Sequence, residues 1–177
     1  MKIKYQMPNN FFKMFNEFSG ITSTKNQIIK NPNNKIHGYI YMTVVSSMLL
    51  FIIMLIFAFI FYNNDIITSY IINVGSFVLT FYLIFNLSIF FSNYTLIKKT
   101  LASGVLILDE NGITDKNDNG VTINFAWESI KLIVFTKNVI TVLGDSTIGI
   151  FIQTEHREKI KKIIEKYKKD TVIVERD

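Results

Sequence analysis

The stretch DKNDNGVTINFAWE, Asp115 to Glu128, can be read as a metal loop or as a hairpin turn. Asp115, Asn117, Asn119 and Gly120 fall at the first, third, fifth and sixth positions of an EF-hand calcium loop. The twelfth position of such a loop must supply a bidentate Glu. Here it is Ala126, and Glu128 comes two residues late. An EF-hand also needs a helix on each side, whereas strand patterns flank this stretch. The turn reading fits better, because Asn119-Gly120 has the residue types that favour a tight hairpin.

Working outward from that turn, short β-branched runs alternate with turn residues. The runs GVLILD, GITDK, GVTINFAW, IKLIVFT, VITVLG and TIGIFI are separated by ENG, NDNG, ES, KN and GDS. Six strands with such brief turns predict an antiparallel meander curling into a small barrel. A helix is expected from Glu155 to Lys169, with Thr154 as its N-cap and Ile160, Ile163, Ile164 and Tyr167 as its apolar stripe. Lysines cover the rest of that helix, which suits either a membrane-surface binder or a cap over one open end of the barrel. The narrow aliphatic stripe favours the cap. Trp127, the single tryptophan, can be an aromatic anchor for a partner or a core side chain with its indole N–H bonded to backbone.

Upstream, residues 39–62 form an uncharged run, YIYMTVVSSMLLFIIMLIFAFIFY. As a helix it reaches roughly 36 Å, enough to cross a hydrocarbon core of about 30 Å. Asn63, Asn64 and Asp65 make a polar turn, and a second uncharged run occupies residues 66–94. The expectation is a two-helix transmembrane hairpin over residues 38–97, between an arm of residues 1–37 and a domain of residues 98–177. Lys25, Lys30 and Lys35 precede the first span, Lys98 and Lys99 follow the second, and the connecting turn has no lysine or arginine. The positive-inside rule then puts both termini in the cytoplasm.

Ser69, Asn73, Ser76 and Thr80 share one face of the second span. They can line a path for ions or substrate, or hydrogen-bond to the partner span through Ser46 or Ser47. The absence of an ionisable residue within either span favours helix packing.

The net charge of +5 resides in the arm, where six lysines face Glu17 alone; the last eighty residues are close to neutral. Their balance argues against nucleic-acid binding, which needs a concentrated cationic face. With no cysteine and two distant histidines, His37 and His156, the sequence offers no thiolate or multi-histidine metal site, and no cofactor is implied. Asp109, Glu110 and Glu128 have no accompanying nucleophile or oxyanion motif, so no catalytic residue is assigned. The arm itself begins with alternating MKIKYQM, a strand pattern. Asn10 can then cap a helix carrying Phe11, Phe12, Phe15 and Phe18. That helix can dock on the downstream domain or lie in the membrane interface.

The run from ILDENGITDK through WESIKLIVFT to the closing helix, with MKIKYQMPNNFFKMFNEF at the start, resembles the YcxB-like bacterial membrane proteins. The resemblance implies an α+β membrane protein, with the two-helix hairpin and a small antiparallel PH-like β-barrel closed by a C-terminal helix. The stretch GIFIQTEH departs from the family, which often has a basic, proline-containing segment there. The expected role is non-catalytic: an interaction module in the bacterial cytoplasmic membrane, in envelope stress or protection against membrane-active peptides. Its partners would be the lipid bilayer and a protein, or a second copy of itself. An oligomeric channel or transporter accessory subunit is the alternative.

Overall fold

The alternating start folds as strand β1 (Lys2–Gln6), and the phenylalanine-rich stretch as helix α1 (Phe11–Lys30). Helix α2 (Tyr39–Ile60) and helix α3 (Asp65–Thr100) follow. Strands β2 (Ser103–Leu108), β3 (Gly112–Asn117), β4 (Thr122–Ala126), β5 (Ile130–Phe135), β6 (Val139–Gly144) and β7 (Gly149–Gln153) come next. Helix α4 (Arg157–Tyr167) and strand β8 (Val172–Glu175) complete the order. This computed structural model describes residues 1–100, 103–145, 149–167 and 170–176, with the side chains of 99 and 100 left aside. The chain divides into two units: Ile40–Asn93, and Met1–Tyr39 together with Tyr94–Asp177.

The first unit is the helical hairpin. The chain has two helices long and apolar enough to cross a membrane, Tyr39–Ile60 and Asp65–Lys98. Their outward side chains are apolar and exposed, with Phe59 82%, Ile66 84% and Phe77 73% accessible. Asn64 makes the reversal. Its side chain accepts from the Ile67 N–H at 3.1 Å and its carbonyl from the Thr68 N–H at 2.9 Å, satisfying donors at the start of α3. Helix α3 spans 36 residues, about 54 Å, so it runs well past the expected end at residue 94.

In the second unit all six expected strands are present; residues 147 and 148 of the TIGIFI run lie outside the described residues. They do not form one continuous meander. The strands fall into two four-stranded sheets, ordered β1-β2-β3-β4 and β7-β6-β5-β8. Among the described residues no pairing joins the sheets into a closed barrel. The break comes at Trp127–Ser129, a single 3₁₀ turn that takes the chain out of the first sheet. The edge of β5 that β4 would have occupied is filled by β8, paired in parallel from Leu132↔Val172 to Phe135↔Glu175. Strand β1 adds antiparallel to β2, so the N-terminal strand completes a sheet whose other members follow the hairpin.

The sheets share a core of Ile3, Leu106, Ile113 and Phe125 from one side and Ile133, Phe135, Ile140 and Val142 from the other. Ile160 and Ile164 of α4 enter the same core. The residues of β5 and β6 are buried almost throughout because α1 packs on the second sheet's opposite face. Leu132, Val134 and Leu143 alternate with the core residues and point to that face. Helix α1 thus docks on the sheet: Phe11, Phe15 and Phe18 are buried, and Phe11 and Phe18 lie 5.6 and 5.1 Å from the ring of Phe151. Each such burial contributes about 1.5–3 kcal/mol. Phe12 is turned away and 41% exposed. Asn10 precedes the helix without a side-chain cap bond.

The C-terminal helix starts later than expected. Thr154 opens a 3₁₀ turn (Thr154–His156) instead of capping α4, and its hydroxyl donates to the Lys137 carbonyl at 3.4 Å. Lys168 and Lys169, the expected helix end, lie outside the described residues. Lys161 and Glu175 form an ion pair at 2.7 Å that ties α4 to β8 and favours the charged lysine.

Candidate functional site

The polar face of α3 does not meet α2. The hydroxyls of Ser46 and Tyr82 are 3.1 Å apart across the hairpin, while Ser47 donates to the Thr43 carbonyl in its own helix at 2.7 Å. Gly75 also faces α2, since a Cβ there would lie 2.5 Å from Met54 Sδ. Counting about 100° per residue from the Gly75–Tyr82 line, the Ser69, Asn73, Ser76 and Thr80 stripe lies roughly 130° around the helix. All four side chains are exposed, and Asn73 Nδ2 donates to Ser69 Oγ at 3.3 Å. The expected bonds from Ser46 or Ser47 to this stripe are therefore not made within the chain.

Trp127 is not a surface anchor. Only 5% of it is accessible; its Nε1 donates to the Asp109 carbonyl at 2.8 Å, and its ring stacks on Tyr167 at 5.9 Å. The indole holds the 3₁₀ turn against the first hairpin and fills the core between the sheets.

The side chains that mimic an EF-hand are used in building a hairpin. Asn117 Oδ1 accepts from the N–H groups of Asn119 at 3.1 Å and Val121 at 2.8 Å, and Ser103 donates to Asp118. The turn has a three-residue loop, Asp118–Gly120, in place of the tight two-residue form. Within that loop Gly120 takes the positive φ, +85°, which a residue without a Cβ adopts at no steric cost. Among the described residues no three His, Cys, Asp or Glu side chains cluster to hold a metal ion.

Asp115 has a different role. It is 5% exposed, and its Oδ1 accepts a 2.7 Å hydrogen bond from the Tyr5 hydroxyl, 110 residues away on β1, across the intervening β2. Burial pushes the Asp115 carboxyl above its usual range, and the Tyr5 bond opposes this in part. Burial likewise raises Tyr5, helped by its bond to Asp115 and by the nearby carboxylate charges, so the phenol stays a donor.

The pair opens onto a cavity of about 40 Å³ walled by Met7, Phe11, Met14 and Phe151, with Glu155 and His156 also lining it. That is room for a few water molecules. A larger guest would have to displace the two flexible methionines. The cavity offers one buried carboxylate and one phenol, which can hold a small cation or a hydrogen-bonding group. Sequence reading missed Tyr5 as a partner, because the strand pattern around it gives no clue to which strand it joins.

No family model matches the chain, and no curated protein matches it. Among solved structures, a chain of the "Structure of the Spt16D Pob3N heterodimer" is 20% identical, with a TM-score of 0.35. The alignment covers 41% of this chain and less than half, 44%, of that one. A likeness of that size carries no argument about fold or partners.

Proposed function

We propose that the protein is a membrane-anchored, non-catalytic interaction module of the bacterial cytoplasmic membrane, with both termini in the cytoplasm. The observation that carries this reading is the hairpin. Its two helices have spanning length, and their outward faces are apolar and exposed to a degree that suits lipid. The order of strand, aromatic helix, two spans, sheets and helix supports a YcxB-like layout. A PH-like module is supported by two sheets and α4 sharing one core, with β8 as a departure from that pattern. Envelope stress or protection against membrane-active peptides is the setting we assign to it.

A protein partner would add to a sheet edge. Among the described residues β4 pairs with β3 alone, leaving its other edge unpaired by any strand. The test has two readouts on the full-length chain. The protein should float with membranes after an alkaline carbonate wash, and a photo-crosslinker at Asn124 in β4 should capture a protein adduct of discrete mass. Release by carbonate refutes the anchor; lipid adducts alone refute the edge.

The exposed Ser69–Thr80 stripe favours a second reading, in which several hairpins assemble as a channel or a transporter accessory subunit. Ion flux in proteoliposomes that falls in Asn73→Leu and Thr80→Val would support it, and absence of flux would remove it.

A further inference from the structure

Immediately before the first span, the chain folds back along α1. A Cβ at Gly20 would lie 2.0 Å from the His37 carbonyl oxygen, and one at Gly38 would lie 2.3 Å from Asn16 Nδ2. This returning segment, α1 and the turn between β5 and β6 enclose an open cleft of about 630 Å³. Its size falls within the usual range for ligand sites. Lys13, Lys35, Lys137 and Arg176 line it against one carboxylate, Glu17. Glu17 is already engaged: one oxygen accepts from the Thr136 hydroxyl at 2.8 Å and the other from the Asn138 amide.

Among the described residues, the three lysines have neither an ion-pair nor a hydrogen-bond partner. The Arg176 guanidinium donates to the carbonyls of Pro32 and Asn34, but its Nε is buried with no acceptor. A buried donor and three uncompensated ammonium groups around one cleft describe an anion site. Position adds a second constraint. Lys35 is four residues from Tyr39, where α2 begins, so it lies within about 14 Å of the span's first residue whatever the chain's path.

We propose that this cleft binds the phosphate of an anionic phospholipid headgroup from the adjoining leaflet. The proposal rests on the membrane reading for the source of the lipid, but the binding can be read independently of topology. The anion faces Lys13, Lys35 and Lys137, and the cleft holds its ester oxygens near Arg176. Glu17 keeps the β5–β6 turn in place and leaves the four cations in clear excess.

The test uses the full chain, delipidated in neutral detergent, with native mass spectrometry reading bound ligand. Phosphatidylglycerol should bind more tightly than phosphatidylcholine and more tightly than glycerol phosphate. The triple variant K13Q/K35Q/K137Q should lose roughly a hundredfold, about fivefold per lysine. The control K116Q/K159Q/K162Q removes three exposed lysines that do not line the cleft and should bind as the parent does. Equal loss in both triple variants would overturn the proposal, because it would show a general charge effect. Equal affinity for glycerol phosphate would also overturn it, because the ligand would then be a free phosphate compound. A failed carbonate flotation with intact phosphatidylglycerol binding would refute the anchor while leaving the cleft standing.

Discussion

Replacing Gly20 by alanine tests how closely the segment before the first span lies on α1. An ideal Cβ at this position sits 2.0 Å from the His37 carbonyl oxygen and 3.0 Å from the Gly38 Cα, both backbone atoms. A relaxed C···O contact needs about 3.3 Å, so residues 37 and 38 must retreat by more than an ångström. Overpacking of this kind costs about 1–3 kcal/mol. Alanine returns about 0.5–1 kcal/mol as a better helix former than glycine. A 2.0 Å approach to a backbone oxygen puts the overpacking cost in the upper half of its range, so the net expectation is a loss of about 1–2.5 kcal/mol, or roughly 4–10 °C in Tm. Trp127 is buried and is the only tryptophan, so its fluorescence during heating in detergent reports unfolding of the unit that contains Gly20. Asn26→Ala, at an exposed position of the same helix, controls for propensity and should be neutral or slightly stabilising. Gly20→Ala with a Tm at or above the parent's would refute the close approach, and with it one wall of the basic cleft.

Two other predictions concern Asp115 and the hairpin. Asp115 has a folded-state pKa above its unfolded value, so the folded form binds the extra proton. Stability is fully supported below the unfolded value and declines as pH rises through the folded one. Asp115→Asn keeps an acceptor for Tyr5 without the buried charge. It should raise Tm at neutral pH, and the gain should shrink to nothing in acid; a gain that grows in acid would contradict the sign. Across the hairpin, the Ser46–Tyr82 contact should show a coupling of about 0.6 kcal/mol in a Ser46→Ala, Tyr82→Phe double-mutant cycle measured in detergent. Additive effects would mean that the pair is not bonded.

The parts legible in the sequence were those set by local pattern. Residues 39–62 declared a helix of spanning length by their uncharged run, and Asn117–Gly120 declared a turn by residue type. What escaped depended on pairing between distant segments. The alternation of residues 1–7 announced a strand but not its register, Lys2↔Ile107, across the inserted hairpin. Strand β8 has four residues, the last of them the charged Glu175, too few to show a period, yet it takes the edge that decides where one sheet ends. The continuous apolar runs of β5 and β6 did carry a signal that both faces are covered, and the covering element proved to be α1.

The candidate sites were less legible for the same reason. Tyr5 and Asp115 meet across 110 positions, and the cleft's four cations come from α1, the pre-span segment, the β5–β6 turn and the chain end.

The central claim is that two spans hold the folded unit on one side of a membrane, with the Asn63–Asn64 turn on the other. The sequence contains no cysteine, so each introduced thiol is unique. In bacterial cells with the outer barrier permeabilised and the cytoplasmic membrane intact, a membrane-impermeant maleimide should label Asn63→Cys. It should label Lys159→Cys, exposed on α4, only after the cytoplasmic membrane is lysed. Labelling of Lys159→Cys in cells with an intact cytoplasmic membrane, or of both sites alike, would contradict the account.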